Sequence, residues 1–142
     1  MTGNYNDTVR IYDARSMARA KTVIENIGSP CDFDGQYLVA INADKLIVHD
    51  TLTRNTWSRI YDANEPFHGG KIICHNKRPL LIAWTSSNIM TWTLMDFATK
   101  RPPSNIYAVA GVCHLVTDPR ACNGCTVCAV TTDGTRFDLV IT

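Results

Sequence analysis

The feature that most constrains this chain is a short strand pattern that returns at nearly regular intervals. Residues 6–15, Asn-Asp-Thr-Val-Arg-Ile-Tyr-Asp-Ala-Arg, read as a polar turn, an alternating strand and an Asp-headed turn. Val9 and Ile11 fall on one face and Arg10 and Tyr12 on the other, the period-2 alternation of a half-buried β-strand. The pattern returns as Asp-Lys-Leu-Ile-Val-His-Asp at 44–50 and, more worn, as Asn-Ile-Met-Thr-Trp-Thr-Leu at 88–94. A last copy reads Asp-Gly-Thr-Arg-Phe-Asp-Leu at 133–139. Alignment on Asp7, Asp44, Asn88 and Asp133 gives intervals of 37, 44 and 45 residues. Recurrence at such a period marks a repeat architecture, in which each unit buries its apolar face only by stacking on its neighbours.

Phased on that strand, the rest of the chain divides into short β segments. Strands are predicted at 8–13 and 20–24, then at 31–34, 36–42, 46–50 and 56–61. A second set follows at 71–75, 80–85, 89–94 and 106–110, and a third at 112–116, 126–131 and 135–141. Asn26 to Pro30, the loop 62–70 and Pro102-Pro103 punctuate the sets. No segment carries a sustained helical period with caps. Residues 16–25 contain the helix formers Met17-Ala18-Arg19-Ala20, but their place in the repeat makes them a strand. The expected organisation is all-β, with a half unit at 1–25, four-stranded antiparallel units at 29–62 and 68–110, and a partial unit at 111–142.

Composition narrows the function. Hydrophobic residues make up 45% and charged residues 19%, which places the chain among globular proteins. The net charge is +1 with both signs interspersed, so no concentrated basic face is available for nucleic acid. No apolar run reaches the ~18 residues of a membrane span. The first residues have neither the basic nor the apolar region of a signal peptide. The expectation is a cytoplasmic or nuclear protein whose six cysteines are reduced thiols, with protein partners and neither nucleic acid nor membrane.

Four-stranded units at this period, each with an acidic turn before the third strand and an aromatic-Asp pair at its end, resemble the WD-repeat β-propeller family. Tyr12-Asp13 and His49-Asp50 stand where that family has Trp-Asp, and Trp92-Thr93 keeps the Trp. His68-Gly69 is similar to its Gly-His pair in reversed order. The resemblance implies a buried tetrad of His68, a hydroxyl from Thr85, Ser86 or Ser87, Asn88 and Trp92. It also implies turn-forming roles for Asp7, Asp13, Asp44 and Asp50, whose carboxylates can accept backbone N–H bonds. The units add up to about three and a half, short of the ~4 blades of the smallest propellers. An incomplete ring follows. The preferred expectation is a fragment of a larger propeller, with completion by a second chain and an open arc as alternatives.

Tyr12-Asp13-Ala14-Arg15 is similar to the Trp-Asp-x-Arg box of WD-repeat proteins that dock onto the adaptor of cullin-type ubiquitin ligases, and that resemblance implies that Arg15 contacts the adaptor. Cys122-x-x-Cys125-x-x-Cys128, with Cys113-His114 upstream, invites a zinc site on Cys113, Cys122 and Cys125. Cys128 falls within a strand, opposite in direction to Val127 and Ala129, and free thiols are the preferred reading. Cys74-His75 and Cys113-His114 are adjacent on strands, so each pair points to opposite faces and forms no nucleophile–base bond. Glycine-rich phosphate loops and nucleophile elbows are missing from the sequence.

The expected function is therefore a non-catalytic protein–protein interaction scaffold without a cofactor. Its rim residues would be Arg15, Arg54, Trp57, Arg59 and Phe67, since Arg and aromatic side chains are the usual anchors of such contacts. The alternatives are a ubiquitin-ligase substrate receptor and a small zinc module built on the C-terminal cysteines.

Overall fold

The computed structural model describes residues 2–3, 8–13, 16–60, 65–75, 77–117 and 125–141. They form four antiparallel sheets in chain order. The first contains β1 (Thr2–Gly3), β2 (Val9–Asp13) and β3 (Ser16–Ile24), with β2 in the middle. The second contains β4 (Ser29–Phe33), β5 (Tyr37–Asn42), β6 (Lys45–Asp50) and β7 (Thr56–Arg59). The third contains β8 (Gly69–His75), β9 (Arg78–Trp84), β10 (Ile89–Thr93) and β11 (Asn105–Tyr107). The fourth contains β12 (Val112–Thr117), β13 (Cys125–Thr131) and β14 (Arg136–Ile141). Within each sheet the strands lie in sequence order, so each strand pairs with its neighbour in the chain.

Two features depart from the sequence reading and one agrees with it. Thr2–Gly3 pairs with β2, Thr2 opposite Arg10 and Gly3 opposite Val9, which makes the first sheet three-stranded where only two strands are expected. Residues 16–24 form a strand, as expected, because β2 supplies a ladder that outweighs their helix propensity. A five-residue helix, α1 (Leu94–Ala98), occupies the start of the connection between β10 and β11. Thr93 caps it, its Oγ1 accepting from the Asp96 N–H at 3.1 Å, while Leu94 and Phe97 turn into the core at i, i+3 spacing. One turn is too short to leave a periodic signal in the sequence.

The central strands explain how the sheets stack. Leu38, Val39 and Ala40 are consecutive and all fully buried, as are Leu81, Ile82 and Ala83. Continuous burial of this kind means that both faces of a strand are covered. Side chains alternate between two neighbours. Leu38, Ala40 and Ile47 pack with Val9, Ile11 and Ile24 of the first sheet. Val39, Leu46 and Val48 pack with Ile72, Leu81, Ala83, Met90 and Trp92 of the third. Leu80, Ile82, Trp84 and Ile89 pack with Val112, Leu115, Val127, Ala129 and Ile141 of the fourth. The three core clusters among the described residues thus join successive sheets, like pages of a partly opened book.

The first strands of the later sheets lie side by side. The Ile72 N–H on β8 donates to Asp32 Oδ2 on β4 at 2.9 Å, and Lys71 Nζ donates to the Leu115 carbonyl on β12 at 3.5 Å. Side chains here bridge strand edges that a sheet would otherwise leave unpaired. Gly70 permits the approach, since a Cβ there would stand 2.8 Å from Val39 Cγ1 and 2.9 Å from Leu46 Cδ1. The last strands, β7, β11 and β14, lie at the opposite edges of their sheets.

Candidate interaction surface

The seam between the second and third sheets gathers Trp57, Arg59, Phe67 and Trp92 from the residues that the sequence singles out. β7 ends at Arg59, whose side chain leaves its own sheet and lies over two rings of the next, 5.6 Å from the Trp92 centroid and 5.3 Å from Phe97. Arg59 Nη2 donates to the Asp96 carbonyl at 2.7 Å and to the Phe97 carbonyl at 3.2 Å, and Nε donates to Phe97 at 3.4 Å. These are carbonyls of α1, where a cation is favoured by the orphan acceptors and the helix dipole. Burial lowers the guanidinium pKa, and the charge of Asp96 works against that effect. Arg59 therefore belongs to the joint between two sheets as much as to the surface.

Trp92 is the centre of that joint. It is 1% exposed and meets Phe67 edge-on at 6.2 Å and Phe97 at 5.6 Å. Phe67, expected on a rim, is only 3% exposed and lies in the core. A ring without accessible surface cannot anchor a partner, so Phe67 leaves the rim set. Trp57 is half-buried against the same cluster. Arg54 stands exposed in the turn between β6 and β7, with φ of 65° and its N–H donated to the Asp50 carbonyl at 2.7 Å. Arg15 lies outside the described residues.

The expected tetrad does not assemble. His68 is exposed and joins the sheet through its backbone N–H, donated to the Trp84 carbonyl at 2.8 Å. Trp92 Nε1 is buried with no hydrogen-bond partner among the described residues. The hydroxyls turn instead to Glu65, whose Oε1 accepts from Thr85 Oγ1 at 2.8 Å and from Ser87 Oγ. Asn88 joins this set by its side chain, Nδ2 donating to Ser87 Oγ at 3.1 Å, and by its backbone N–H to Thr85 Oγ1 at 3.3 Å. Glu65 was invisible in the sequence because it lies in a loop outside the repeat phase.

Turn-forming acids are a mixed outcome. Asp50 is buried, and its Oδ1 accepts from Leu52 N at 2.9 Å, Thr53 N at 3.4 Å and Gln36 Nε2 at 3.2 Å. Burial pushes its pKa up, but those hydrogen bonds outweigh it and hold the group below its ordinary value. Asp133 Oδ1 accepts from Thr131 Oγ1 and from the Thr135 N–H at 2.9 Å, which brings its pKa down to about 2. Asp44 is half-buried in the turn between β5 and β6. Asp7 and the side chain of Asp13 lie outside the described residues.

The cysteines spread out. Cys113 is exposed, its Sγ donating to the Val130 carbonyl at 3.3 Å, while Cys128 is half-buried on β13. Val127 and Ala129 on either side of Cys128 are fully buried toward the third sheet, so the thiol faces the other way. Cys122 and the side chain of Cys125 lie outside the described residues. Among the described residues no group of three or more His, Cys, Asp or Glu could hold a metal ion, and no helix is long and apolar enough to cross a membrane.

Beside Arg59 the surface opens into a groove of about 340 Å³ lined by Lys45, Ser58, Arg59, Ile60 and Lys100. Lys45 and Lys100 were not singled out by the sequence, because they sit 55 residues apart and meet only when two sheets stack. A second groove, of about 420 Å³, lies between the first and second sheets and is lined by Thr22, Glu25, His49, Thr51 and Arg54 among others.

An ordered stack of three- and four-stranded antiparallel sheets, with the first strands of the second, third and fourth adjacent and their last strands at the far edges, defines a propeller-like fold. No protein-family model and no curated protein sequence matches the chain. Among solved structures it is similar to the β-propeller BBS1N, crystallised in complex with ARL6DN and soaked with mercury. The TM-score is 0.60 at 14% identity, over 86% of this chain and 40% of that one. The chain thus spans about two-fifths of the length of the solved chain that it resembles.

Proposed function

We propose that the chain is a non-catalytic protein–protein interaction scaffold of WD-repeat type, acting in the cytoplasm or nucleus as part of a larger propeller. The observation that carries this reading is the fold-level likeness to BBS1N, a propeller whose crystals contain a second protein. The stacked sheets would supply a rigid support, and the turns and seams would present side chains to a partner. The remaining blades would come from further sequence or from a second chain. Arg54, Trp57 and Arg59 are the rim residues on which binding would depend, and Arg15 is the further candidate from the sequence.

The test is affinity purification of the chain with quantitative identification of what it retains, set against a double variant Arg54→Glu/Trp57→Ala. The expected result is a partner retained in fixed stoichiometry by the parent and reduced at least about tenfold by the variant, as for other anchor residues. Retention of the same proteins by both would remove these residues from the interface. A parent that retains nothing above a control chain would overturn the scaffold reading.

A further inference from the structure

We propose that the groove between β7 and α1 binds an extended acidic segment of a protein partner, which lies along the free edge of β7. This deepens the scaffold reading and rests on it. Three cationic side chains, Lys45 and Arg59 from the second sheet and Lys100 from the connection between α1 and β11, line one groove. The chain as a whole carries a net charge of only +1, so this concentration of one sign is local. Asp96 acts on Arg59 through space, but its backbone carbonyl, not its carboxylate, is the group that Arg59 holds.

Arg59 is already fixed in place. Among the described residues its hydrogen bonds run from Nε and Nη2 to the carbonyls of α1, so Nη1 is the donor left for an incoming carboxylate. A guanidinium held by its neighbours loses little freedom on binding. Lys45 and Lys100 are exposed and can swing toward a ligand. Ser58 adds a hydroxyl.

Two further properties select a peptide rather than a free anion. Among the described residues β7 is the last strand of its sheet and pairs with β6 alone, so half of its backbone N–H and C=O groups face outward. An extended segment can complete that ladder, with backbone bonds giving affinity and side-chain contacts giving selectivity. Ile60, half exposed at the end of the strand, also lines the groove and offers an apolar contact that an inorganic ion would not use. Acidic residues together with one apolar side chain match the two kinds of side chain that line the groove.

The experiment uses the full chain and a fluorescein-labelled peptide, Glu-Glu-Leu-Glu-Glu, followed by fluorescence anisotropy at low and high salt. Saturable binding is expected, weakened by salt and at least about tenfold weaker in Lys45→Glu/Lys100→Glu, since both charges face the ligand. A peptide with glutamine in place of glutamate should not bind. Lys77→Glu/Arg78→Glu, two exposed cations on another turn, should bind as the parent does. Should the double glutamate variant lose its fold by circular dichroism, Lys45→Gln/Lys100→Asn removes the same charges more gently and must show the same loss. Equal binding by parent and groove variants would overturn the proposal. So would a single-stranded oligonucleotide that competes at equal affinity, which would mark a general anion surface. A partner retained by affinity purification independently of Lys45 and Lys100 would overturn the groove and leave the scaffold reading standing.

Discussion

Trp92 poses the sharpest question at the scale of single residues. Its ring fills the joint between two sheets, yet its Nε1 has no partner among the described residues. A buried unsatisfied donor costs about 1–3 kcal/mol, whereas the packing of a large aromatic is worth about 3–5 kcal/mol against Ala. Trp92→Phe removes the donor and keeps most of the packing. It should therefore change the urea-unfolding free energy by no more than about 1 kcal/mol, against a loss of about 3–5 kcal/mol for Trp92→Ala. A Phe variant as damaged as the Ala variant would show that the indole N–H is bonded after all. Arg59 poses the opposite case, because every bond it makes crosses the joint. Arg59→Ala should destabilise by about 2 kcal/mol, from charge-assisted hydrogen bonds to two carbonyls and cation–π contacts with two rings, discounted for partial exposure. The residue scale was also the least legible. Trp92 was recognised by its place in the repeat, but its expected partner His68 is exposed and the hydroxyls went to Glu65. A motif names residue types at intervals. It does not say which loop side chain will reach the network first.

Elements were more legible, because alternation is written in the strand itself. The alternating pattern around Val9 and Ile11 puts those residues against the second sheet, and the runs 38–40 and 81–83 put theirs between two sheets. Elements whose cause is a cap or a distant ladder stayed hidden, α1 and β1 among them. Thr93→Ala, which removes the cap of α1, should cost about 1 kcal/mol and leave β10 intact. On β6, His49 ties stability to pH. His49 Nδ1 lies 2.7 Å from Thr56 Oγ1, and burial lowers its pKa while Asp50 raises it to a smaller extent. A folded pKa below the unfolded ~6.5 means that acid favours the unfolded chain. The contribution of neutral His49 is complete above that value and is lost as pH falls through the folded pKa. Urea midpoints measured from pH 7.5 down to 5 should therefore decline, and His49→Gln, which keeps a polar partner for Thr56 but cannot titrate, should flatten that decline. Asp133 acts in a separate, lower window. Its turn is supported above the ordinary 3.8 and fails only as pH drops toward about 2.

For the whole molecule, the stacking of sheets determines where stability resides. The second and third sheets are covered on both faces, whereas the first and fourth each have one face in a described core. On the fourth sheet the remaining face carries Val116, 45% exposed, and Val140, 62% exposed, with half-buried Cys128 and Val130 between them. Repeat arrays of this type have stabilities that add from neighbour to neighbour, so units with one partner open before units with two. Native-state hydrogen exchange should follow that order. Amides of β5, β6, β9 and β10 are expected to be the slowest, and those of β2, β3, β13 and β14 to exchange through partial openings at lower free energy. If instead all four sheets exchange at one rate set by global unfolding, the outer sheets are stabilised by something beyond the described cores, and the exposed valine face is covered in solution. That outcome would be tied to concentration if a second copy covers it and independent of concentration if the chain folds back on itself. Dilution during the exchange experiment therefore separates the two. The sequence period already implied units that cannot stand alone. What it could not carry is which faces end up shared, because that depends on side chains such as Asp32, Arg59 and Lys71 that reach across the seams and sit outside the repeated strand.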